Sequence, residues 1–175
     1  MASSSRMKGM GTTTLISVEE YLRTSYSDGD REYIDGRVVE RNLGTIQHGH
    51  WQTRMVVFLA NNYKAIWAAV EVRVQVKPTR FRVPDVTCVL GPQPEGNILY
   101  EPPFLVIEVL SPDDRAEEVQ EKIDDYLAFG VGFVWVANPR TRRGYVYTVE
   151  GMREAKDGVL RTADPEIALS LNEVV

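Results

Sequence analysis

Asp85 and Glu108 are acids set in apolar strand sequence: Arg82-Val83-Pro84-Asp85-Val86 and Phe104-Leu105-Val106-Ile107-Glu108-Val109-Leu110. A charge in such a run lies in the interior or at its edge. An unpaired carboxylate there costs on the order of several kcal/mol, so it is paired, protonated or bound to a cation. Two such acids on successive strands form an oxygen donor set for a hard metal. Magnesium takes one or two carboxylates, a carbonyl and several waters, and the Val109 backbone carbonyl can be the third protein ligand. An ion held this way activates water and neutralises charge on the leaving oxygen of a phosphodiester.

Lys122 can add a positive group to that site on geometric grounds. From Glu108 the strand overshoots by two residues, about 7 Å at ~3.3 Å per residue. After the Ser111–Asp114 turn a helix runs back from Arg115 to Lys122, about 10 Å at ~1.5 Å per residue. Lys122 therefore returns roughly level with Glu108, on the flank of a face made by Ala116, Val119, Ile123, Tyr126 and Leu127. Its stem can lie along the sheet while the ammonium reaches the strand end.

The elements that position these residues alternate between helix and strand periods. Residues 1–14 are small and polar, and the expectation is a disordered arm. Ser17-Val18-Glu19-Glu20 has the form of a capping box opening a short helix to Thr24. Residues 31–41 read as a hairpin turning at Asp35-Gly36. The stripe Trp51, Met55, Phe58, Leu59, Tyr63 and Ile66 predicts a helix over 48–67. Strands follow over 71–77, 82–90 and 104–110, with a loop at 91–96. A helix over 115–129 ends on Gly130. A strand over 133–137 stops at Asn138-Pro139, and a hairpin-rich tail includes Tyr145–Val149 and a turn at Asp157-Gly158. The unit from Phe104 to Ala137 predicts a right-handed crossover between parallel strands. The fold class is α/β with a mixed sheet, and residues 15–175 read as a single domain.

Composition narrows the function classes. The chain has 175 residues, 43% of them apolar, enough to bury a core. One cysteine, Cys88, excludes a disulfide framework and a cysteine zinc site and fits a reducing compartment. No stretch resembles a signal peptide or the roughly 20-residue apolar run of a membrane span. The expectation is a cytoplasmic protein that does not engage a membrane. A net charge of −5 excludes a generic basic nucleic-acid coat, though not a nuclease whose site needs acids.

These residues carry a family likeness. Pro84-Asp85, Ile107-Glu108-Val109-Leu110-Ser111-Pro112, Lys122 and Tyr126 resemble the pattern of the Uma-two family of putative restriction endonucleases, within the PD-(D/E)XK nuclease superfamily. The stretch Gly130-Val131-Gly132-Phe133-Val134-Trp135-Val136-Ala137-Asn138-Pro139 is similar to another family segment. So are Glu32-Tyr33-Ile34-Asp35-Gly36 and His48 upstream. The resemblance runs from Leu15 through nearly all of the chain. It implies a restriction-endonuclease-like core and a magnesium- or manganese-dependent endonuclease. Asp85 and Glu108 would be metal ligands, with Lys122 the catalytic lysine. DNA would be the substrate, and a homodimer follows if both strands are cut. Two departures stand out: Leu110 where the superfamily expects lysine, and Asn138 where the family often has aspartate.

Each residue also has a plainer reading. Glu108 can be a buried acid paired with Arg73 or Arg82, and Asp85 a turn residue entering a strand. Lys122 can be a solvated partner of Glu118, a pair worth only ~0.3–0.5 kcal/mol. Glu32 and His48 extend the site as accessory groups, or are a hairpin glutamate and a helix-start residue. Arg73, Lys77, Arg80 and Arg82 form a basic stretch that can hold phosphates, or a solvated strand face. At the level of the whole protein, the alternative to an endonuclease is an inactive nuclease-like scaffold that binds nucleic acid or protein.

Overall fold

The computed structural model describes residues 15–26, 31–42 and 44–175, and the arm expected over 1–14 lies outside them. Ser17 caps helix α1 (Val18–Arg23) by accepting the Glu20 N–H at 3.1 Å. Strands β1 (Glu32–Ile34) and β2 (Arg37–Val39) form the expected hairpin. Its turn places both Asp35 and Gly36 at positive φ, 49° and 92°, the conformation such a two-residue turn needs.

Helix α2 (Ile46–Asn62) buries Trp51, Met55 and Leu59 at helical spacing. It is shorter than the apolar stripe predicts. Ile66 and Trp67 instead open strand β3 (Ile66–Val70), which pairs antiparallel with β6 (Val86–Leu90). The stripe is ambiguous because a five-residue apolar strand extends it almost in phase.

The strand expected over 71–77 begins only at Val74, as β4 (Val74–Lys77). Glu71 takes φ 54° and breaks the chain after β3. The strand expected over 82–90 is likewise two strands: β5 (Arg80–Arg82) and β6 belong to different sheets. Val83-Pro84-Asp85 crosses between them, because Pro84 has no N–H to continue a ladder.

Strand β7 (Leu105–Val109), helix α3 (Ala116–Phe129) and strand β8 (Phe133–Asn138) make the predicted crossover, with β7 and β8 parallel. Gly130 closes α3 at φ 108°, as the C-terminal cap requires. The tail adds β9 (Arg143–Thr148), β10 (Gly151–Glu154), β11 (Val159–Arg161) and β12 (Ala168–Ser170). A six-stranded mixed sheet runs β10-β9-β8-β7-β6-β3, and a four-stranded one β2-β1-β5-β4.

Alternation along β7 assigns its two faces. Leu105, Ile107 and Val109 pack in one core with Trp51, Met55 and Leu59 of α2. Val106 belongs to the other core, with Ile123 and Tyr126 of α3 and Val74 and Val76 of β4. Glu108 therefore points toward α3. No helix among the described residues is long and apolar enough to cross a membrane.

Candidate active site

Antiparallel pairing of Val86 with Ile107 brings Asp85, the residue before β6, level with Glu108. Both acids are buried, at 5% and 6% exposure. They line a cleft of about 160 Å³ together with Arg41, His48, Val109 and Lys122.

Asp85 is held from three directions. Its Oδ2 accepts the Val109 N–H at 2.7 Å and lies 3.1 Å from His48 Nε2, while Oδ1 accepts Arg41 Nη2 at 3.0 Å. Burial opposes ionisation, but these donors and the Arg41 charge prevail and hold the carboxyl below its usual range. The Asp85 carbonyl also accepts Gln52 Nε2 at 2.8 Å. His48 is placed by the start of α2, where Thr45 accepts its N–H. Gly44 leaves room for its ring, since a Cβ there would sit 3.1 Å from Nδ1. The hydrogen bond to Asp85 raises the His48 pKa against the effect of burial.

Glu108 behaves oppositely. Burial pushes its carboxyl up to about 7, with Asp85 and Glu32 adding to the shift and Lys122 and the Tyr126 hydrogen bond opposing it. Tyr126 Oη donates to Oε1 at 2.7 Å, and Lys122 Nζ stands 3.6 Å from Oε2. The same ammonium is 3.5 Å from Glu32 Oε1. Burial disfavours the charge on Lys122, yet Glu108, Glu32 and Asp85 outweigh it and keep the lysine protonated.

Glu32 reaches the site from β1. Its Oε1 accepts the Val83 N–H at 3.1 Å and its Oε2 accepts Arg82 Nη1 at 2.8 Å. The fold thus brings together Asp85, Glu108, Lys122, Glu32 and His48, and Lys122 is the partner of Glu108 in place of Arg73 or Arg82.

The structure engages the basic stretch in contacts within the protein. Arg82 is 2% exposed and donates to Asp125 at 2.7 and 2.9 Å as well as to Glu32. Arg80 binds Asp125, Glu121 and Asp35, and Lys77 lies 2.8 Å from Asp125. The Arg73 guanidinium stacks 4.9 Å over the Tyr21 ring. Buried Asp125, on the face of α3 toward β4 and β5, gathers Lys77, Arg80 and Arg82 into a structural network.

The site contacts of three groups escape a sequence reading. Arg41 lies 44 residues from Asp85 in a connection without periodicity. Gln52 sits on the apolar stripe of α2, where a polar residue at a buried position is the signal available. The Tyr126 side chain reads as core, and only the fold aims its hydroxyl at Glu108.

The donor set fits a hard divalent cation. Its acids are two buried oxygen donors, Asp85 held low by its hydrogen bonds and Glu108 raised to about 7 by burial, and Val109 borders the same cleft. Among the described residues no group of three histidine, cysteine or acidic side chains converges as a metal cage. A larger pocket of about 410 Å³ opens on the other flank of α3, between Val119, Val136, Tyr145 and Tyr147. It lacks the acid pair.

No curated protein matches this chain. Among solved structures, the fold is similar to the crystal structure of a putative nuclease belonging to DUF820 from Anabaena variabilis ATCC 29413, with a TM-score of 0.77 and 22% identity. The match covers 91% of this chain and 97% of that one, and it establishes the restriction-endonuclease-like fold. Over residues 18–172 the sequence matches the model of the Uma2 family, described as putative restriction endonucleases, and the chain belongs to that family.

Proposed function

We propose that this protein is a divalent-metal-dependent endonuclease that hydrolyses phosphodiester bonds of DNA, with magnesium or manganese as the ion. The observation that carries this reading is the pair of buried acids brought level at the ends of β6 and β7, with a charged lysine 3.6 Å from one of them. Membership of the Uma2 family supports it.

Asp85, Glu108 and the Val109 carbonyl would hold the ion, which would supply Lewis-acid chemistry toward the attacking water and the leaving oxygen. The chain's own residues do the rest. Glu108, raised to about 7 by burial, gives up its proton near neutral pH and so becomes a carboxylate donor for the ion. Lys122, kept charged by Glu108 and Glu32, faces the attacking water and the charge developing on the phosphoryl oxygens. His48, whose pKa is raised by its hydrogen bond to Asp85, borders the cleft that a phosphate would enter. Glu32 is committed to Arg82 and Val83, and its part is to hold the Lys122 ammonium in place. The products are a 5′-phosphate and a 3′-hydroxyl, and cutting both strands calls for a homodimer.

The alternative is a scaffold that binds nucleic acid without cutting, and the Arg41 guanidinium seated on Asp85 favours it. Incubation with supercoiled plasmid decides between them. A nuclease nicks or linearises it with magnesium or manganese, and loses that activity in EDTA and in Asp85→Ala. A scaffold binds the plasmid equally with and without chelator and leaves it closed.

A further inference from the structure

Asp85 is gripped unequally. Oδ2 is pinned by the Val109 backbone N–H and by His48 on α2, both parts of rigid elements. Among the described residues, Oδ1 has Arg41 as its hydrogen-bond partner, at 3.0 Å. The other terminal nitrogen of that guanidinium, Nη1, lies 3.2 Å from Glu71 Oε1, and the Glu71 side chain is half exposed at the rim. Arg41 itself comes from the connection between β2 and α2 and keeps 17% of its side chain exposed. The Arg82 side chain, by contrast, is 3% exposed and locked between Glu32 and Asp125.

Charge and geometry together make Arg41 the contact that yields. A divalent ion on Asp85 and Glu108 would stand beside the guanidinium and repel it. Leaving Oδ1 strands no buried charge, because Glu71 and solvent are within reach. A guanidinium fork also suits phosphate as well as it suits carboxylate.

We propose that Arg41 is a displaceable counter-ion: it pairs with Asp85 in the metal-free protein, gives up Oδ1 to the divalent cation, and then takes a phosphate oxygen of the substrate at the cleft mouth. This role rests on the nuclease reading above.

Calorimetric titration of Mn²⁺ into the full chain tests the exchange. Arg41→Gln binds Mn²⁺ about tenfold tighter than the wild type, because one like charge is gone. Arg41→Lys, which keeps the charge, stays within about threefold. Asp85→Ala loses binding. Anisotropy of a labelled duplex reads the second half, using Ca²⁺ as an oxygen-seeking cation. Arg41→Gln weakens duplex binding about tenfold with Ca²⁺ and changes it little in EDTA, where Arg41 is tied to Asp85.

Unchanged Mn²⁺ affinity in Arg41→Gln, or equal duplex effects with and without cation, overturns the proposal. The nuclease reading survives that result if Asp85→Ala still abolishes Mn²⁺ binding. A wild type that binds no Mn²⁺ overturns both. Should Arg41→Gln not fold, nitrogen-15 spectra of the wild-type arginine side chains decide. Mg²⁺ is expected to release the restricted Arg41 guanidinium, and its continued restriction overturns the exchange.

Discussion

The Asp85 carboxylate accepts the backbone N–H of Val109, the residue after Glu108, at 2.7 Å. The two acids are therefore one construction: the strand that carries Glu108 also orients Asp85. Burial keeps a proton on Glu108 up to about neutral pH, while His48, the Val109 N–H and Arg41 together hold Asp85 ionised against its own burial.

Glu108 gives stability a definite pH dependence in the presence of chelator. Its folded pKa of about 7 stands above the ordinary 4.5, so between those values the folded protein holds a proton that the unfolded chain has released. This contribution is complete below about pH 4.5 and is lost as pH rises through about 7. Urea titrations from pH 5 to 8 are expected to show the wild type losing up to about 3 kcal/mol relative to Glu108→Gln. His48, whose pKa is also raised, contributes in the same direction to both proteins. Parallel curves for the two proteins would refute the assignment.

Tyr126→Phe removes the hydroxyl that donates to Glu108 at 2.7 Å. Because that bond favours the carboxylate, Glu108 should titrate higher and the acidic limb of the cleavage profile should move up by about one pH unit. A stability loss of about 1 kcal/mol is expected beside it. The same loss with an unmoved profile would make the hydroxyl purely structural.

Lys122→Met separates catalysis from ion binding. The cleavage rate should fall about a hundredfold or more, as for loss of a group that stabilises developing charge. Mn²⁺ affinity should hold or tighten, since a cation leaves the site. A variant that cuts at the wild-type rate would reduce Lys122 to a counter-ion of Glu32 and Glu108.

Asp125→Ala strips buried Arg82 of two hydrogen bonds and unties Arg80 and Lys77 from the same acid. Breaking a buried pair from one side should cost about 3 kcal/mol in chemical denaturation. A loss below about 1 kcal/mol would mean that Glu32 and Glu121 alone satisfy Arg82.

The sequence by itself determined the acids, the crossover and much of the chain's order. Glu108 is conspicuous because an acid costs so much in an apolar strand, and Lys122 follows from adding strand rise to helix rise. Asp35-Gly36 and Gly130 mark their turns because few residues take positive φ. Tertiary structure decided what local pattern cannot carry. The end of α2 was hidden because Ile66 continues a helical stripe while belonging to a strand whose partner, Leu90, is far along the chain. Glu71 breaks the chain at positive φ with no glycine to signal it. Arg82 reads as a phosphate contact until Asp125, 43 residues away, claims it. Arg41 carries no signal at all, since an arginine in a connecting segment is chemically ordinary until the fold sets it 3.0 Å from Asp85. Periodicity and burial cost are properties of neighbouring residues, whereas pairing between distant side chains exists only once the sheets have assembled.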